Sequence, residues 1–364
     1  MTESASRRVV DDPDVLAIIL ADWHNGGTYE ELTGDLVDFY NSFSRSLTEQ
    51  TLRKNIGLPI RGISGVNGCD LSPIQRTLAS MSQNEALQDV AGSVRDTLHF
   101  IERNPNAKVL PYELSLDDLN LSAFRVCELY GQLHRAPSIR EIEISEAYYP
   151  DYVFTVNGKK YSYVFLYYYI NYVYCSRFVD FSRISNIIEI GPGAGRQVEV
   201  IKKFHPHLNF YLIDLGPSLY LCHQYLSAIF PDDVLHYQST RDSESVSLGS
   251  TGQIAFVGNW SIDRVAPDGA SLFISSSTLS LMKPQTASVY LNSISEYSDY
   301  IFMIESCRDD SIVTYSLEGS ACLEDFHALL DNQFQLVDHE AAFYPLGVRD
   351  GFGGFEMMIW VKSQ

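Results

Sequence analysis

The sequence predicts an α/β fold for the second half of the chain and a mostly helical first half. From about residue 185, short apolar runs alternate with helical segments, a pattern typical of parallel βαβ units in a three-layer sheet. Before about residue 180, apolar residues recur at helical spacing. With 364 residues the chain is long enough for about two domains. We therefore predict one domain over residues 1–180 and a second over residues 181–364.

Seven apolar runs define the strands of the predicted sheet, and helical segments separate most of them. The strands are predicted at Asn186–Ile190, Asn209–Asp214, Ile254–Val257, Ser271–Ser275, Tyr300–Ile304, Phe334–Asp338 and Phe355–Val361. The helices between them are predicted at Arg196–Phe204, Ser218–Phe230, Pro284–Tyr297 and Leu323–Asn332. Only a loop separates the last two strands, so we expect them to form an antiparallel hairpin.

Capping and turn residues indicate the elements of the first half. Thr28 with Glu31 forms a capping box, and Ser72-Pro73 places a proline at a first helical position. Asn157-Gly158 is a typical two-residue hairpin turn. The expected elements are helices beginning near residues 28 and 73, helices over 84–103 and 119–134, a hairpin over 152–162 and a tyrosine-rich helix over 163–178.

The charge balance restricts the partners of the protein. The chain has 26 basic and 46 acidic residues, a formal net charge of −20. Such a surface repels polyanions, so we expect neither a nucleic acid partner nor binding to an anionic membrane. The opening residues are too polar for a secretory signal and the six cysteines form no C-x-x-C pair, so we expect a cytoplasmic protein with free thiols.

The most informative segment is IIEIGPGAGR, residues 187–196, in which an apolar strand runs into E-x-G-x-G-x-G and then into a helix. Glycines at such a turn let the backbone bend sharply and a ligand approach closely. Open α/β sheets bind ligands at the carboxyl ends of their strands. A dinucleotide site requires a third glycine where this sequence has Arg196, or Val198 in the other register, and no phosphate-binding P-loop string occurs.

Two carboxylates flank the glycine loop. Asp214 ends the next predicted strand, where a carboxylate accepts hydrogen bonds from the ribose diol of NAD and S-adenosylmethionine alike. Glu189 suits a ligand with an ammonium group, and S-adenosylmethionine has an amino group and a sulfonium but no phosphate. The alternatives are a plain strand-to-helix turn, a solvated charge at Glu189, and an N-cap role for Asp214 at the helix predicted from Ser218.

Three segments carry a family resemblance: EIGPGAGRQ, YLIDLGPSLYLCHQYLSAIFP and LFISSSTLSLMKP. They resemble the class I S-adenosylmethionine-dependent methyltransferases and, more narrowly, the sugar O-methyltransferases of antibiotic deoxysugar and surface-polysaccharide pathways. The resemblance covers residues 186–231 and 254–306. It implies a seven-stranded Rossmann-like class I methyltransferase sheet in the C-terminal half, with the helical N-terminal domain covering the substrate, and S-adenosyl-L-methionine as cofactor.

The predicted cofactor site combines the glycine loop with the ends of the neighbouring strands. Asn259 and Trp260 follow the third strand, where the indole either packs on the adenine or belongs to the core. The predicted cofactor-binding residues are Glu189, Gly191, Gly193, Gly195, Asp214, Leu215, Asn259, Trp260, Ser275 and Ser276.

In other class I enzymes, the acceptor site is formed by loops after the fourth and fifth strands together with N-terminal helices. A sugar hydroxyl is a weak nucleophile, so a general base should accept its proton. His339 and Glu305 are the candidates for that base, with an ordinary strand histidine as the alternative for His339. Tyr167, Tyr168 and Met282 are candidates for acceptor binding, with helix core as the alternative for the tyrosines.

The resulting hypothesis is an S-adenosylmethionine-dependent O-methyltransferase that acts on a sugar hydroxyl, of a deoxysugar on a natural product such as an antibiotic or of a glycan precursor. The alternatives are a small-molecule N-, C- or non-sugar O-methyltransferase, a non-catalytic scaffold of the same fold and, less favoured because of Arg196, an NAD-dependent oxidoreductase. We predict no metal site: His205 and His207 flank Pro206 at a helix end, where we expect them in solvent. A homodimer is left open.

Overall fold

The computed structural model describes residues 12–25, 116–145, 153–306, 321–342 and 355–363. Its α-helices are α1 (Pro13–Asn25), α2 (Leu116–Leu133), α3 (Tyr163–Ser176), α4 (Arg196–Phe204), α5 (Gly216–Ile229), α6 (Tyr237–Arg241), α7 (Pro284–Ser295) and α8 (Leu323–Leu330). Its strands are β1 (Phe154–Val156), β2 (Lys159–Tyr161), β3 (Asn186–Ile190), β4 (Asn209–Asp214), β5 (Ile254–Gly258), β6 (Ser271–Ser276), β7 (Tyr300–Ser306), β8 (Phe334–Ala341) and β9 (Phe355–Lys362). The elements predicted near residues 28 and 73 and over 84–103 lie outside the described residues.

Seven strands form one mixed sheet in the order β5-β4-β3-β6-β7-β9-β8. Strands β3 to β7 are parallel, and β9 runs antiparallel to both β7 and β8. All seven predicted strands occur, each begins at its predicted first residue, and the last two form the predicted hairpin. The predicted seven-stranded Rossmann-like sheet of the class I methyltransferase fold is therefore confirmed.

The strand order reverses at β3, which has β4 on one side and β6 on the other. In an open α/β sheet a crevice forms at such a reversal, outside the carboxyl ends of the strands. The glycine loop follows β3 directly, so the fold places it in this crevice. The residues that follow β4 and β6 form the two flanks.

Helices cover both faces of the sheet, which explains why the central strands are apolar along their whole length. Side chains alternate between the two faces along β3. Ile187 packs into the core that α3, α4 and α5 share, and Ile188 packs into the opposite core with Leu291 of α7 and Phe326 of α8. The strand that carries the glycine loop is thus fixed from both sides.

The described helices before residue 180 belong to the same core as the sheet. Leu16 of α1 and Phe124 of α2 pack into the cluster that covers one face. In α3 the hydroxyl of Tyr174 donates to the carbonyl of Met357 in β9 at 3.1 Å. No separate core marks residue 180 among the described residues, and the division into two domains stays a prediction. None of the described helices is long and apolar enough to cross a bilayer.

The predicted hairpin and the helix after it are both present. Strands β1 and β2 pair around Asn157 and Gly158, whose φ angles of 51° and 82° fit a tight hairpin turn. The Ser162 side chain accepts a hydrogen bond from the backbone N–H of Phe165 at 3.2 Å and so caps the first turn of α3. This cap fixes where the tyrosine-rich helix begins.

Candidate cofactor site

The glycine loop adopts a backbone that favours glycine at each of its three positions. Gly191, Gly193 and Gly195 have φ angles of 66°, 55° and 76°, which side chains rarely tolerate. A Cβ at Gly191 would collide with the side chain of Thr278, whereas one at Gly193 would meet no protein atom within 4 Å. The loop is therefore closed against protein at its first glycine and open to a ligand at its second.

Asp214 at the end of β4 connects the two neighbouring strand ends. Its carboxylate accepts hydrogen bonds from the backbone N–H groups of Gly193, at 3.2 Å, and Leu215, at 2.8 Å. The side chain is 8% exposed, and burial raises its pKa to about 7 against the lowering effect of those bonds. Leu215 is the N-cap residue of α5 and the helix begins at Gly216, so the proposed cap role of Asp214 at Ser218 is wrong.

Glu189 in β3 is a second buried carboxylate beside the loop. Burial, together with the negative charge of Asp214, raises its pKa to about 8. Its Oε2 has no hydrogen-bond partner within the part of the chain that the structure describes. The alternative of a solvated charge is therefore wrong. A buried carboxylate without a partner is costly unless a donor reaches it, and a ligand ammonium group would supply one.

Asn259 directly follows β5, the strand that pairs with β4 so that Gly258 lies opposite Asp214. Its side-chain nitrogen Nδ2 donates to the hydroxyl of Tyr290 at 3.1 Å. Its Oδ1 is buried and accepts no hydrogen bond from the described residues. This acceptor, one residue beyond the strand pair that ends at Asp214 and Gly258, suits an exocyclic amine such as that of adenine.

Trp260 lies at the edge of this region. Its indole lies over Gly258, where a Cβ would collide with the ring. The half-buried ring also lines a cavity of about 250 Å³ together with Asp22 of α1 and Arg241 of α6, whose Nε donates to Asp22 at 2.7 Å. The core alternative for Trp260 is therefore wrong, because the ring is half-buried and lines an open cavity, and its contact with the adenine stays a prediction.

The serines at the end of β6 lie on the opposite flank of the loop. The hydroxyl of Ser275 donates to Oε1 of Glu305 at 2.5 Å and is therefore engaged within the protein. Ser276 is half-buried, and its carbonyl accepts from the hydroxyl of Thr278 at 3.2 Å. Among the residues predicted on this flank, the structure brings Ser276 near the crevice and uses Ser275 to hold Glu305.

The two candidates for a general base occupy unsuitable positions. Glu305 is fully buried at the end of β7, and its two oxygens accept bonds from several donors. His339 lies in β8, the edge strand four strands from β3, which is about 19 Å at ordinary strand spacing. Its Nε2 is 3.3 Å from Oε2 of Glu356. This geometry favours a structural role for Glu305 and the ordinary strand histidine for His339.

The candidates for acceptor binding lie mainly in packed surroundings. Met282 is buried in the core beneath α7 and α8. Tyr167 is buried and Tyr168 half-buried, and the carbonyl of Tyr168 accepts from Nε2 of Gln197 in α4 at 3.3 Å. A role of these three residues in acceptor binding stays a prediction.

Other tyrosines of α3 have their hydroxyls engaged within the protein. Tyr169 donates to the carbonyl of Pro137 at 2.8 Å, and the hydroxyl of Tyr172 lies 2.9 Å from Nε2 of His205. His205 stacks on Phe181, with ring centroids 4.7 Å apart, and burial lowers its pKa to about 4. The expectation that His205 lies in solvent is wrong in part, because its ring is half-buried against Tyr172 of α3, whereas His207 is exposed as expected.

Two features of the site carry no local sequence signal. The side chain of Trp23 in α1 packs directly against Gly216, just beyond Asp214, at a place where a Cβ would come within 2.9 Å. Arg196, which follows the glycine loop, turns its guanidinium away from the crevice and over the ring of Tyr225 at 4.2 Å.

No cluster of three His, Cys, Asp or Glu side chains forms a metal site within the described ranges.

Comparisons with known proteins give the following result. No family model and no curated protein matches the chain. A solved mitomycin 7-O-methyltransferase matches at 14% identity, over 96% of this chain and 94% of that one, with a TM-score of 0.37. An O-methyltransferase from neocarzinostatin biosynthesis, solved with S-adenosyl-L-homocysteine, matches at 13% identity over 53% of this chain, with a TM-score of 0.34, and this chain spans 57% of its length. At these values the fold assignment rests on the strand order of the sheet and not on the likeness.

Proposed function

We propose that the protein is an S-adenosylmethionine-dependent methyltransferase. The observation that carries the proposal is the pair of buried carboxylates, Glu189 and Asp214, on either side of an open glycine loop. Such a site favours a ligand that is cationic, rich in hydroxyl donors and free of phosphate. S-adenosylmethionine has these properties, and when bound it would supply a methyl group activated by the sulfonium.

The same two acids argue against a dinucleotide. Their raised pKa values leave them partly protonated at neutral pH, and a pyrophosphate at the glycine loop would repel the ionised fraction and offer no donor to either carboxylate. The nearest cation along the chain, Arg196, is only 5% exposed and pairs with Glu199 at 3.4 Å beneath the loop. It is therefore not free to neutralise a phosphate.

Each part of the site has a proposed task. Glu189 accepts from the ammonium group, and Asp214 accepts from the ribose hydroxyls while it holds the N–H of Gly193. Asn259 offers its free Oδ1 to the adenine amine, and Leu215 and Trp260 supply apolar contact. Gly191 and Gly195 let the loop turn, and the bonds from Gly191 to Ile213 and from Gly193 to Asp214 hold it in place before a ligand arrives, which favours methyl transfer by orientation.

The acceptor we propose is a sugar hydroxyl, of a deoxysugar on a natural product or of a glycan precursor. The support is the resemblance of residues 186–231 and 254–306 to sugar O-methyltransferases. An acceptor screen with labelled S-adenosylmethionine over glycosides and nucleotide sugars tests it. Methyl transfer to amines or phenols alone, with no sugar labelled, would contradict this acceptor class while leaving the cofactor assignment intact.

Isothermal titration with S-adenosylhomocysteine and NAD tests the cofactor. We expect S-adenosylhomocysteine to bind and NAD not to bind. Asp214→Asn should weaken S-adenosylhomocysteine binding by about 1.5–3 kcal/mol, the scale of a charge-assisted hydrogen bond. Asp299→Asn is the matched control, because Asp299 also accepts a backbone N–H, from Ser271 at 2.9 Å, but at the amino ends of β6 and β7, away from the glycine loop. Tight NAD binding, or equal effects of the two substitutions, would overturn the assignment.

A further inference from the structure

The loop after β6, residues 277–281, is organised around the carboxylate of Glu305. The backbone N–H groups of Thr278, Leu279 and Ser280 all donate to it at 3.1–3.2 Å. The hydroxyls of Ser275 and Ser280 add bonds of 2.5 and 2.6 Å. Three successive N–H groups directed at one anion form a backbone nest, so a side chain of β7 fixes the shape of the loop after β6.

The loop conformation needs such support. Ser277 has a φ angle of 57°, in the left-handed region that a residue with a Cβ occupies only at a cost. Its N–H donates to the carbonyl of Ile304 at 2.8 Å, which fixes the loop to β7 one residue before Glu305. The loop is therefore attached to the end of β7 at two consecutive residues, Ile304 and Glu305. Neither attachment involves the glycine loop itself.

The loop in turn contacts the glycine loop. The side chain of Thr278 fills the space beside Gly191 that a Cβ would otherwise occupy. Gly191 is also fixed on its other side, where its N–H donates to the carbonyl of Ile213 in β4 at 2.8 Å. Gly191 is thus held between β4 and the side chain of Thr278. How firmly it is held depends on the hydrogen bonds that fix the position of Thr278.

We infer that Glu305 is a positioning residue: through the backbone of residues 278–280 it presses Thr278 against Gly191 and so holds the glycine loop in its ligand-binding shape. This inference rests on the proposed function only for the identity of the ligand. It replaces the expected role of Glu305 as a general base, because a carboxylate that already accepts five donor groups has no oxygen left for a substrate proton.

Mild substitutions test the inference, because Glu305→Gln would place an NH₂ group against N–H donors and endanger folding. Ser280→Ala removes one hydroxyl bond to Glu305, and Thr278→Ala removes the side chain beside Gly191 but keeps its N–H. Ser298→Ala is the matched control: Ser298 is equally buried and donates to the carbonyl of Ile294 at 2.8 Å, at the amino end of β7.

Two readouts are measured on each variant. Hydrogen exchange of a peptide covering residues 191–196, without ligand, should become faster in Ser280→Ala and Thr278→Ala and stay unchanged in Ser298→Ala. S-adenosylhomocysteine affinity by calorimetry should fall about tenfold in each of the first two. The double variant Thr278→Ala/Ser280→Ala should lose no more than Thr278→Ala alone, since both act through one contact.

The outcomes separate this inference from the proposed function. Faster exchange in the glycine loop with no binding of S-adenosylhomocysteine by the wild-type protein would uphold the positioning role and refute the proposed cofactor. Unchanged exchange and unchanged affinity in both variants would overturn the positioning role whatever the ligand. A lower melting temperature with additive losses of affinity would also overturn it, because that is the result of general destabilisation.

Discussion

Cofactor binding should release a proton from Glu189 near neutral pH. Burial and the neighbouring Asp214 raise the pKa of Glu189 to about 8. At pH 7 about nine in ten molecules are then protonated there, and ionising the group costs about 1.4 kcal/mol. If the carboxylate accepts from the ligand ammonium, the proton must leave on binding. We therefore expect about 0.9 proton released from Glu189 per S-adenosylhomocysteine at pH 7.

The direction of the pH dependence follows from the same pKa. Only the ionised carboxylate attracts the ammonium, so affinity should rise with pH through the neutral range. The protonation of Glu189 alone predicts a gain of about 50-fold from pH 6 to pH 8, and about twofold more by pH 9. Asp214, with a pKa raised to about 7, adds a smaller gain in the same direction.

Calorimetry in two buffers of different ionisation enthalpy measures the proton count. The observed binding enthalpy, plotted against the buffer enthalpy, has a slope equal to the protons released. Glu189→Gln removes one titrating group and leaves Asp214, so the difference between the two slopes isolates Glu189. The reasoning is refuted if the wild-type protein and Glu189→Gln release the same number of protons at pH 7, or if wild-type affinity is flat between pH 6 and pH 8.

Three further predictions concern stability and the loop. Because the pKa of Glu189 is raised from 4.5 to about 8, the stability it contributes at low pH is lost as pH rises through that window. At pH 8.5 the free energy of unfolding of Glu189→Gln should therefore exceed that of the wild type by up to about 4 kcal/mol, seen as a higher melting temperature, and the gap should narrow towards pH 5. Gly193→Ala should abolish S-adenosylhomocysteine binding at a stability cost of about 1 kcal/mol, whereas Gly191→Ala should lower the melting temperature further because its Cβ meets protein; equal melting temperatures would contradict this. Tyr172→Phe should lower the free energy of unfolding by about 1 kcal/mol, because the hydrogen bond to His205 is lost, and should leave the calorimetric affinity for S-adenosylhomocysteine unchanged. A changed affinity would contradict this and indicate that α3 contributes to the ligand site.

The sheet could be predicted because the local sequence of each strand is sufficient to identify it. A run such as NIIEI is apolar on both sides, as a strand covered by helices requires, and turn residues bound it. The glycine loop is similarly local, since its three glycines and its acid lie within seven consecutive residues. Open α/β sheets bind ligands at the carboxyl ends of their strands, so the position of the glycine loop at the end of β3 was enough to predict ligand contact there.

Glu305 could not be interpreted from the sequence, because its role depends on the direction of its donors. A carboxylate at the end of a strand suits catalysis and loop support equally well as a pattern. The distinction comes from three backbone N–H groups of residues 278–280, which a sequence does not orient. Trp23 shows the same limit at longer range: nothing near it indicates a contact with Gly216.

Glu189 and Asp214 break the rule that buried charges are paired. Neither forms an ion pair with any described residue. The cations of the helix that follows the glycine loop, Arg196 and Lys203 of α4, pair instead with Glu199. Two buried acids that form no ion pair with any described residue cost stability at that place. Such local costs concentrate at functional sites, and here the cost coincides with the only segment whose glycine pattern the sequence had singled out for ligand approach. The two arguments are independent, since one uses spacing and the other uses burial and charge. The spacing favours close approach of a ligand at the carboxyl end of β3, and the two buried acids favour a cationic one.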